Sequence, residues 1–586
     1  MPNLFRILFQ SISYSKKQIL YQFFIIVLLS AVITGSLLTG SSVKESLKRT
    51  ASERLGNTGL LITSGIRYFD PALVERLKEN SGIPCAGILE LTGNSQRFST
   101  QKVAFNTHIF GINNDFFIFQ GNNSVSIKPG EAAINRKLAD FLGITIGEDL
   151  IIHFQGLSDI PSDAPFAASG DEGRSIVMKV GLILSPEQNG NFSLSISQIT
   201  PMNLFVNLND LESDEGKPAK INRLLISKNM QLTAVKVSEM LKNNLKISDI
   251  GLKTRLIKKT AGFELKSDRI FIDETALSEI KRLIPASAPV ITYLGNTFSK
   301  GSNSTPYSFV SALPSSLYPQ ISSGNTLIIN KWMAEDLAAQ KGDTINMSWY
   351  SPDSLNKLIE ITGKFTVKRI EEIKGIWSDS LLMPDFPGIA GKESCSEWDA
   401  GVPVKMSRIR KKDEDYWNRY RGTPKAYMAY EEGKMLWGNN FGPATAVRFP
   451  FEMSAKEIER KLDGSVDPGK FGLYITDIHA DAQKAASESI DFGTLLLSLG
   501  FFLILASFIL LSFSASSYFD TKKKHVSTLF AMGFRKIWII KLLYFESALI
   551  ALAACVAGAL GGYVVSFFIT IALNTVWSVA VQTDTL

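Results

Sequence analysis

Residues able to make or break bonds are few and scattered in this sequence. His108, His153, His479 and His525 show none of the H-E-x-x-H spacing that sets two metal ligands on one helical face. Cys85, Cys395 and Cys555 have no paired spacing, and Cys555 lies inside an apolar run, so neither a disulfide framework nor a metal site is indicated. A Cys85–Cys395 bridge in an oxidising compartment stays open beside two free or buried thiols. There is no G-x-x-x-x-G-K-[ST] phosphate loop and no G-x-S-x-G elbow. ATP hydrolysis by that route is therefore excluded, and no catalytic residue, cofactor or metal ligand is nominated. Asp413, Glu414 and Asp415 read as a solvated acidic run in preference to a metal site.

What remains is electrostatic and mechanical chemistry, concentrated near the C-terminus. Lys522, Lys523, Lys524, Arg535, Lys536 and Lys541 stand against Asp520 and Glu546 in a short segment. Leu495–Phe513 and Ser547–Leu573 flank it without a charge, each long enough for a hydrocarbon core that needs about 20 helical residues. A short basic stretch between two spans is a cytoplasmic loop by the positive-inside rule. Glu546 sits at the inner boundary, where snorkelling to water is its cheapest state. In the last span Ala554, Gly558 and Gly562 recur at four-residue spacing, which admits close helix approach. Packing against the second span and a dimer seam are both compatible with that stripe.

The elements that must position these residues follow from the rest of the chain. With 586 residues, several domains are expected. A net charge of +6, partly in the basic loop, argues for membrane topology and not for nucleic acid. Residues 1–18 suggest an amphipathic cytoplasmic segment, and 19–40 a first span, its run Ile19–Thr39 too long for a leader's apolar region of about 7–15 residues. Residues 41–489 contain no spanning window and form one extracytoplasmic region. Then come a second span at 490–515, a cytoplasmic loop or helix at 516–541, a third span at 542–573, and an extracytoplasmic end at 574–586 with Trp577 at the interface. The fold class is a multi-pass α-helical membrane protein with a large α+β extracytoplasmic region.

That region repeats itself. ITSGIRYFD ending at Asp70 recurs as LKSDRIFID ending at Asp273, each Asp a candidate helix N-cap. ILELTGN (88–94) recurs as VITYLGN (290–296), and residues 132–150 recur as 327–345, with Asn135/Asn330 and Gly147/Gly342 in register. MKV at 178–180 pairs with FTV at 365–367, and AVKVSEML (234–241) with AKEIERKL (455–462). Two similar lobes follow, about 55–250 and 255–485. Gly/Ser/Pro-rich turns lie at 160–175, 211–220, 295–306 and 387–398. The aromatic and basic stretch 398–440 is either a contact surface or a set of partly buried rings among solvated bases.

The segment KKKHVSTLFAMGFRKIWIIKLLYFES resembles the loop of FtsX-like ABC permeases, the macrolide-exporter and lipoprotein-releasing (type VII) group. Lys524, Leu529, Ala531, Gly533, Arg535, Ile537 and Glu546 fill the family pattern, with His525 where the family usually has Glu. The doubled IN…LA…L….GD element resembles the family's extracytoplasmic core domain, as in large two-lobed members. The resemblance implies an ABC permease subunit without ATPase activity, in the bacterial inner membrane with a cytoplasmic N-terminus. It would partner a separate ATPase, a second permease copy or homologue, and a lipoprotein, lipid or peptide substrate. ATPase coupling would fall to Lys522, Lys523, Lys524, Leu529, Gly533, Arg535, Lys536 and Glu546, on a short coupling helix within Ser512–Lys541. Family members have a further span after the third, so a chain lacking its C-terminal part is expected. A membrane-anchored receptor or adhesion protein, which would need only a few bases between its spans, is the alternative.

Overall fold

The computed structural model describes residues 11–65, 67–100, 102–156, 158–161, 164–167, 173–197, 199–211, 219–228, 232–257, 262–353, 357–399, 401–488 and 492–575. The segment before residue 11, Trp577 and parts of the turns at 160–175 and 211–220 lie outside the described residues. Contacts divide the chain into a helical unit (1–56, 192–201 and 478–586) and a β-rich unit (57–191 and 202–477).

Among the described residues of the helical unit, three helices are long and apolar enough to cross a membrane. The first, Lys16–Leu55, is 40 residues, or about 60 Å at 1.5 Å per residue. That is roughly twice a hydrocarbon core of about 30 Å, so its polar last third extends beyond any span. Gly56, at φ 58°, ends it by donating to the carbonyls of Ser52 and Glu53. The second is interrupted at Gly500, with helix at Phe492–Leu499 and again at Phe501–Ala531. The third is Lys536–Thr575. The first helix packs on both others, which hardly meet each other. No separate coupling helix occurs within Ser512–Lys541: the second helix continues to Ala531 because no helix breaker precedes Gly533. The reversal is confined to Met532–Arg535, with Gly533 in the left-handed region at φ 85°.

The β-rich unit holds two nine-stranded sheets of one topology. In the first the order is Tyr474–Thr476, Thr58–Thr63, Arg223–Ser227, Cys85–Arg97, Val103–Ile112, Asn203–Asn207, Glu131–Asn135, Gly173–Leu184 and Asp149–Gln155. Asp149–Gln155 also pairs with Cys85–Arg97, closing six strands into a ring. The second runs Leu252–Ile257, Gly262–Ser267, Ala446–Arg448, Ala288–Lys300, Asn303–Leu313, Ala426–Ala429, Thr326–Asn330, Leu358–Glu371 and Thr344–Pro352. It closes the same way, through Thr344–Pro352 and Ala288–Lys300. Even irregularities correspond. Asn106 and Tyr307 both carry positive φ, and the parallel pairings of Glu131–Asn135 and Thr326–Asn330 each shift register after their second residue.

Equivalent asparagines fix equivalent turns. Asn135 and Asn330 are fully buried, and their side chains accept the N–H of Leu138 (3.1 Å) and Met333 (2.9 Å), capping the next helix. The aspartates differ from the expected caps. Asp70 accepts from the Ala72 N–H at 2.8 Å, whereas Asp273 makes no capping bond and faces Arg67 at 2.6 Å. The lobe boundaries also shift. Tyr474–Thr476 belongs to the first sheet, and Ile478–Glu488 joins the helical unit.

Candidate functional site

At the hairpin end of the helical unit, three segments converge on one buried ion pair. Lys522 Nζ lies 3.0 and 3.3 Å from the two carboxylate oxygens of Glu546. It also donates to the Ser11 carbonyl at 2.7 Å, while the Ser11 hydroxyl donates to Glu546 at 2.9 Å. The Tyr518 ring closes the site, its centroid 5.2 Å from Nζ. The lysine and glutamate side chains are 2% and 0% exposed. Snorkelling of Glu546 is thus corrected: its charge is met by Lys522 from the second helix, not by water. For the same reason Lys522 presents nothing to a partner. A charge pair in such surroundings is costly unless its geometry and extra hydrogen bonds are good, and the serine supplies them. Just beyond the cluster, Gln18 donates to Thr521 at 3.2 Å and the Tyr14 and His525 rings meet at a centroid distance of 5.1 Å, tilted by 31°.

The other residues of the expected coupling set face outward. Lys523 and Lys524 are exposed, as are Gly533, Arg535 and Lys536, and Leu529 is half-buried. Lys523 pairs with its neighbour Asp520, at 2.6 Å. Around the reversal, Met532 is 70% and Trp538 60% exposed, with Phe530, Phe534 and Ile537 also open. Leu529, Phe534, Trp538, Ile539, Leu542 and Phe545 line an apolar groove of about 220 Å³, bordered by Lys541.

The small-residue stripe has its partner within the chain, and that partner is the first helix, not the second. A Cβ on Gly558 would lie 2.6 Å from the Val27 carbonyl oxygen and Ser30 Cβ. One on Gly562 would lie 2.8 Å from the Ala31 carbonyl oxygen and Thr34 Cβ. Ala554 is fully buried. Ser30 donates to the Cys555 carbonyl at 3.2 Å, and Thr39 to Ser566 at 3.0 Å. Small residues on both helices bring the backbones close enough for these bonds.

At the opposite end, Arg54 was not singled out in the sequence. Its guanidinium donates to the carbonyls of Ser197 (2.6 Å) and Ile199 (3.2 Å) and to the Thr200 hydroxyl (3.3 Å). Ser193 N–H returns a bond to the Arg54 carbonyl at 3.1 Å. Segment 192–201 is thereby fastened to the first helix. An arginine in the last turn of a very long helix was the available signal.

The residues considered for bond chemistry stay apart. His153 bonds Ser175 at 2.7 Å and His108 stacks with Phe110, while His479 and His525 lie in the helical unit. Cys85 and Cys395 are free and buried, in different lobes. Burial pushes each thiol up to about 12, so both keep their protons at neutral pH. The acidic run at 413–415 is not solvated throughout. Asp413 turns inward to Arg410 at 2.7 Å and Lys425 at 3.6 Å, and Glu414 accepts the Cys395 N–H at 3.1 Å. Rings of the 398–440 stretch are core, with Trp398, Tyr416, Trp417, Tyr427, Tyr430 and Trp437 all buried.

Residues 497–585 match the FtsX-like permease C-terminal family. Among solved structures, the periplasmic region of MacB from Actinobacillus actinomycetemcomitans is similar at a TM-score of 0.22 and 10% identity. That match covers 33% of this chain and 84% of that one. No curated protein matches the chain.

Proposed function

We propose, from the premise that residues 497–585 make this chain an FtsX-like permease, that it passes ATP-driven motion from a separate ATPase subunit to its β-rich head. As an ABC permease subunit it is a membrane protein and not itself the enzyme. In this reading the hairpin end faces the cytoplasm of a bacterial cell, across the inner membrane from the head, with the N-terminus on the same side as the hairpin. A second permease, identical or homologous, completes the assembly. The work is done outside, on a lipoprotein, lipid or peptide.

The observation that carries this reading is the hairpin tip. Phe530, Met532, Phe534, Ile537 and Trp538 are open beside Lys523, Lys524, Arg535 and Lys536. A membrane anchor accounts for bases and for an aromatic at the membrane boundary, but a cluster of large apolar side chains gathered with bases around a four-residue reversal is the composition of a protein interface. The apolar groove would receive side chains of the ATPase, and the bases its acidic residues. Lys522 and Glu546 serve differently, tying the second helix to the third so that displacement of the tip moves both.

Gly533→Pro, or Arg535→Glu with Lys536→Glu, is expected to abolish co-purification of an ATPase subunit with the membrane-inserted chain. Proline cannot take φ 85°, and the charge reversals repel an acidic partner. Unchanged co-purification would count against the proposal, provided that membrane insertion is intact.

A further inference from the structure

The tail of each repeat has one design. In the first, the helix Ala234–Asn244 is followed by a 3-10 turn at Ile247–Ile250, a left-handed Gly251 (φ 76°) and the strand Leu252–Ile257. In the second, Ala455–Leu462 is followed by a 3-10 turn at Pro468–Phe471, a left-handed Gly472 (φ 82°) and the strand Tyr474–Thr476. Among the described residues, neither tail strand pairs within its own repeat. Leu252–Ile257 lies on Gly262–Ser267, the first strand of the second repeat. Tyr474–Thr476 returns to Thr58–Thr63, the first strand of the first, with Thr63 opposite Tyr474.

The seam between the tails is specific. Ile247 N–H donates to Asp463 at 2.9 Å, and Gly464 N–H to the Leu245 carbonyl at 3.0 Å. Arg67 reaches across to the Phe471 carbonyl at 3.1 Å and to Asp273 at 2.6 Å. One apolar cluster runs through both repeats, joining Ile62, Leu224 and Leu241 to Leu265, Val447 and Leu462. Such a core cannot be divided between the halves without exposing both sides.

We infer that the head is a dimer in cis: two repeats that exchange their last strands, the circle being closed by Tyr474–Thr476. The first repeat's outer strand is therefore held by residues about four hundred positions later in the chain, and the stability of each half is set by the tail of the other. Exchange of strands between subunits is a common route to dimers; here the same exchange joins two halves of one chain.

Hydrogen exchange of the full chain in nanodiscs tests this. Ile475→Asp puts a charge into the half-buried middle of the closing strand. It is expected to speed amide exchange by about tenfold in Thr58–Thr63 and Arg223–Ser227 of the first repeat. The ring strands of the second repeat, Asn303–Leu313 and Leu358–Glu371, should be unchanged. Faster exchange confined to the second repeat, or no change in Thr58–Thr63, overturns the inference. Crosslinking in a Cys555→Ser background gives a second readout that needs no destabilisation. Thr63→Cys with Tyr474→Cys is expected to oxidise to a disulfide, and Thr63→Cys with Lys253→Cys to stay reduced. The opposite result also overturns it.

Discussion

At the scale of single residues, two buried cations behave differently because their surroundings differ. Lys522 has a full counter-charge and two further acceptors. Removing one partner strands the other in an apolar setting, a loss of about 3–5 kcal/mol. Lys522→Met and Glu546→Gln are each expected to lower the thermal midpoint of the detergent-solubilised chain, and Lys522→Met with Glu546→Met to restore most of it. Lys425, in the head, has Asp413 only at 3.6 Å and the rings of Trp332 and Tyr416 at 4.0 and 4.7 Å. Burial dominates there and lowers its pKa to about 8, against the pull of Asp413 and Asp336 and with that of Arg410. The unfolded lysine holds its proton to about 10.4. Between those values the unfolded chain binds more protons, so this group adds stability as pH rises through the window. Below about 8 its burial cost is fully present. Denaturant melts from about pH 7.5 to about pH 10 should show the gain, and Lys425→Met should flatten it. The bases at 522–524 could be read in the sequence, but not which of them turns inward. That depends on the phase of one helix against another, and the lone acid at the start of the last apolar run was the only clue.

At the scale of elements, composition located the three apolar helices, because length without charge suffices for that. Their ends and partners were less legible. Basic residues suggested a loop where the second helix simply continues, since lysine is a good helix former. The stripe Ala554, Gly558 and Gly562 announced a close approach without naming the neighbour, because small residues permit contact on any side. With Val27, Ser30, Ala31 and Thr34 identified as that neighbour, Gly558→Leu is expected to wedge the first and third helices apart. The cost should be at least that of ordinary overpacking, about 1–3 kcal/mol. A cysteine pair placed across Thr39 and Ser566, whose hydroxyls lie 3.0 Å apart, should oxidise readily in the parent and poorly in the variant. Efficient crosslinking in both would show that the helices meet elsewhere.

At the scale of the whole molecule, the doubling of the head was visible because matched motifs kept their order, and the two sheets share one strand order. The exchange of tails was not visible. A three-residue strand has no periodicity to read, and nothing in Tyr474, Ile475 or Thr476 says which of two similar first strands it will join. Connectivity adds a further asymmetry. The chain passes between its two units after residues 56, 191, 201 and 477. Every one of these passages adjoins a strand of the first sheet, Thr58–Thr63, Gly173–Leu184, Asn203–Asn207 or Tyr474–Thr476. Three of the four passages attach the first repeat directly, and the fourth follows the closing strand that the second repeat lends to the first sheet. The connection from Glu371 to Ala426 in the second repeat is longer than that from Leu184 to Asn203 in the first, so the repeat with the longer insertion is also the one whose single passage to the helices runs through its twin's sheet.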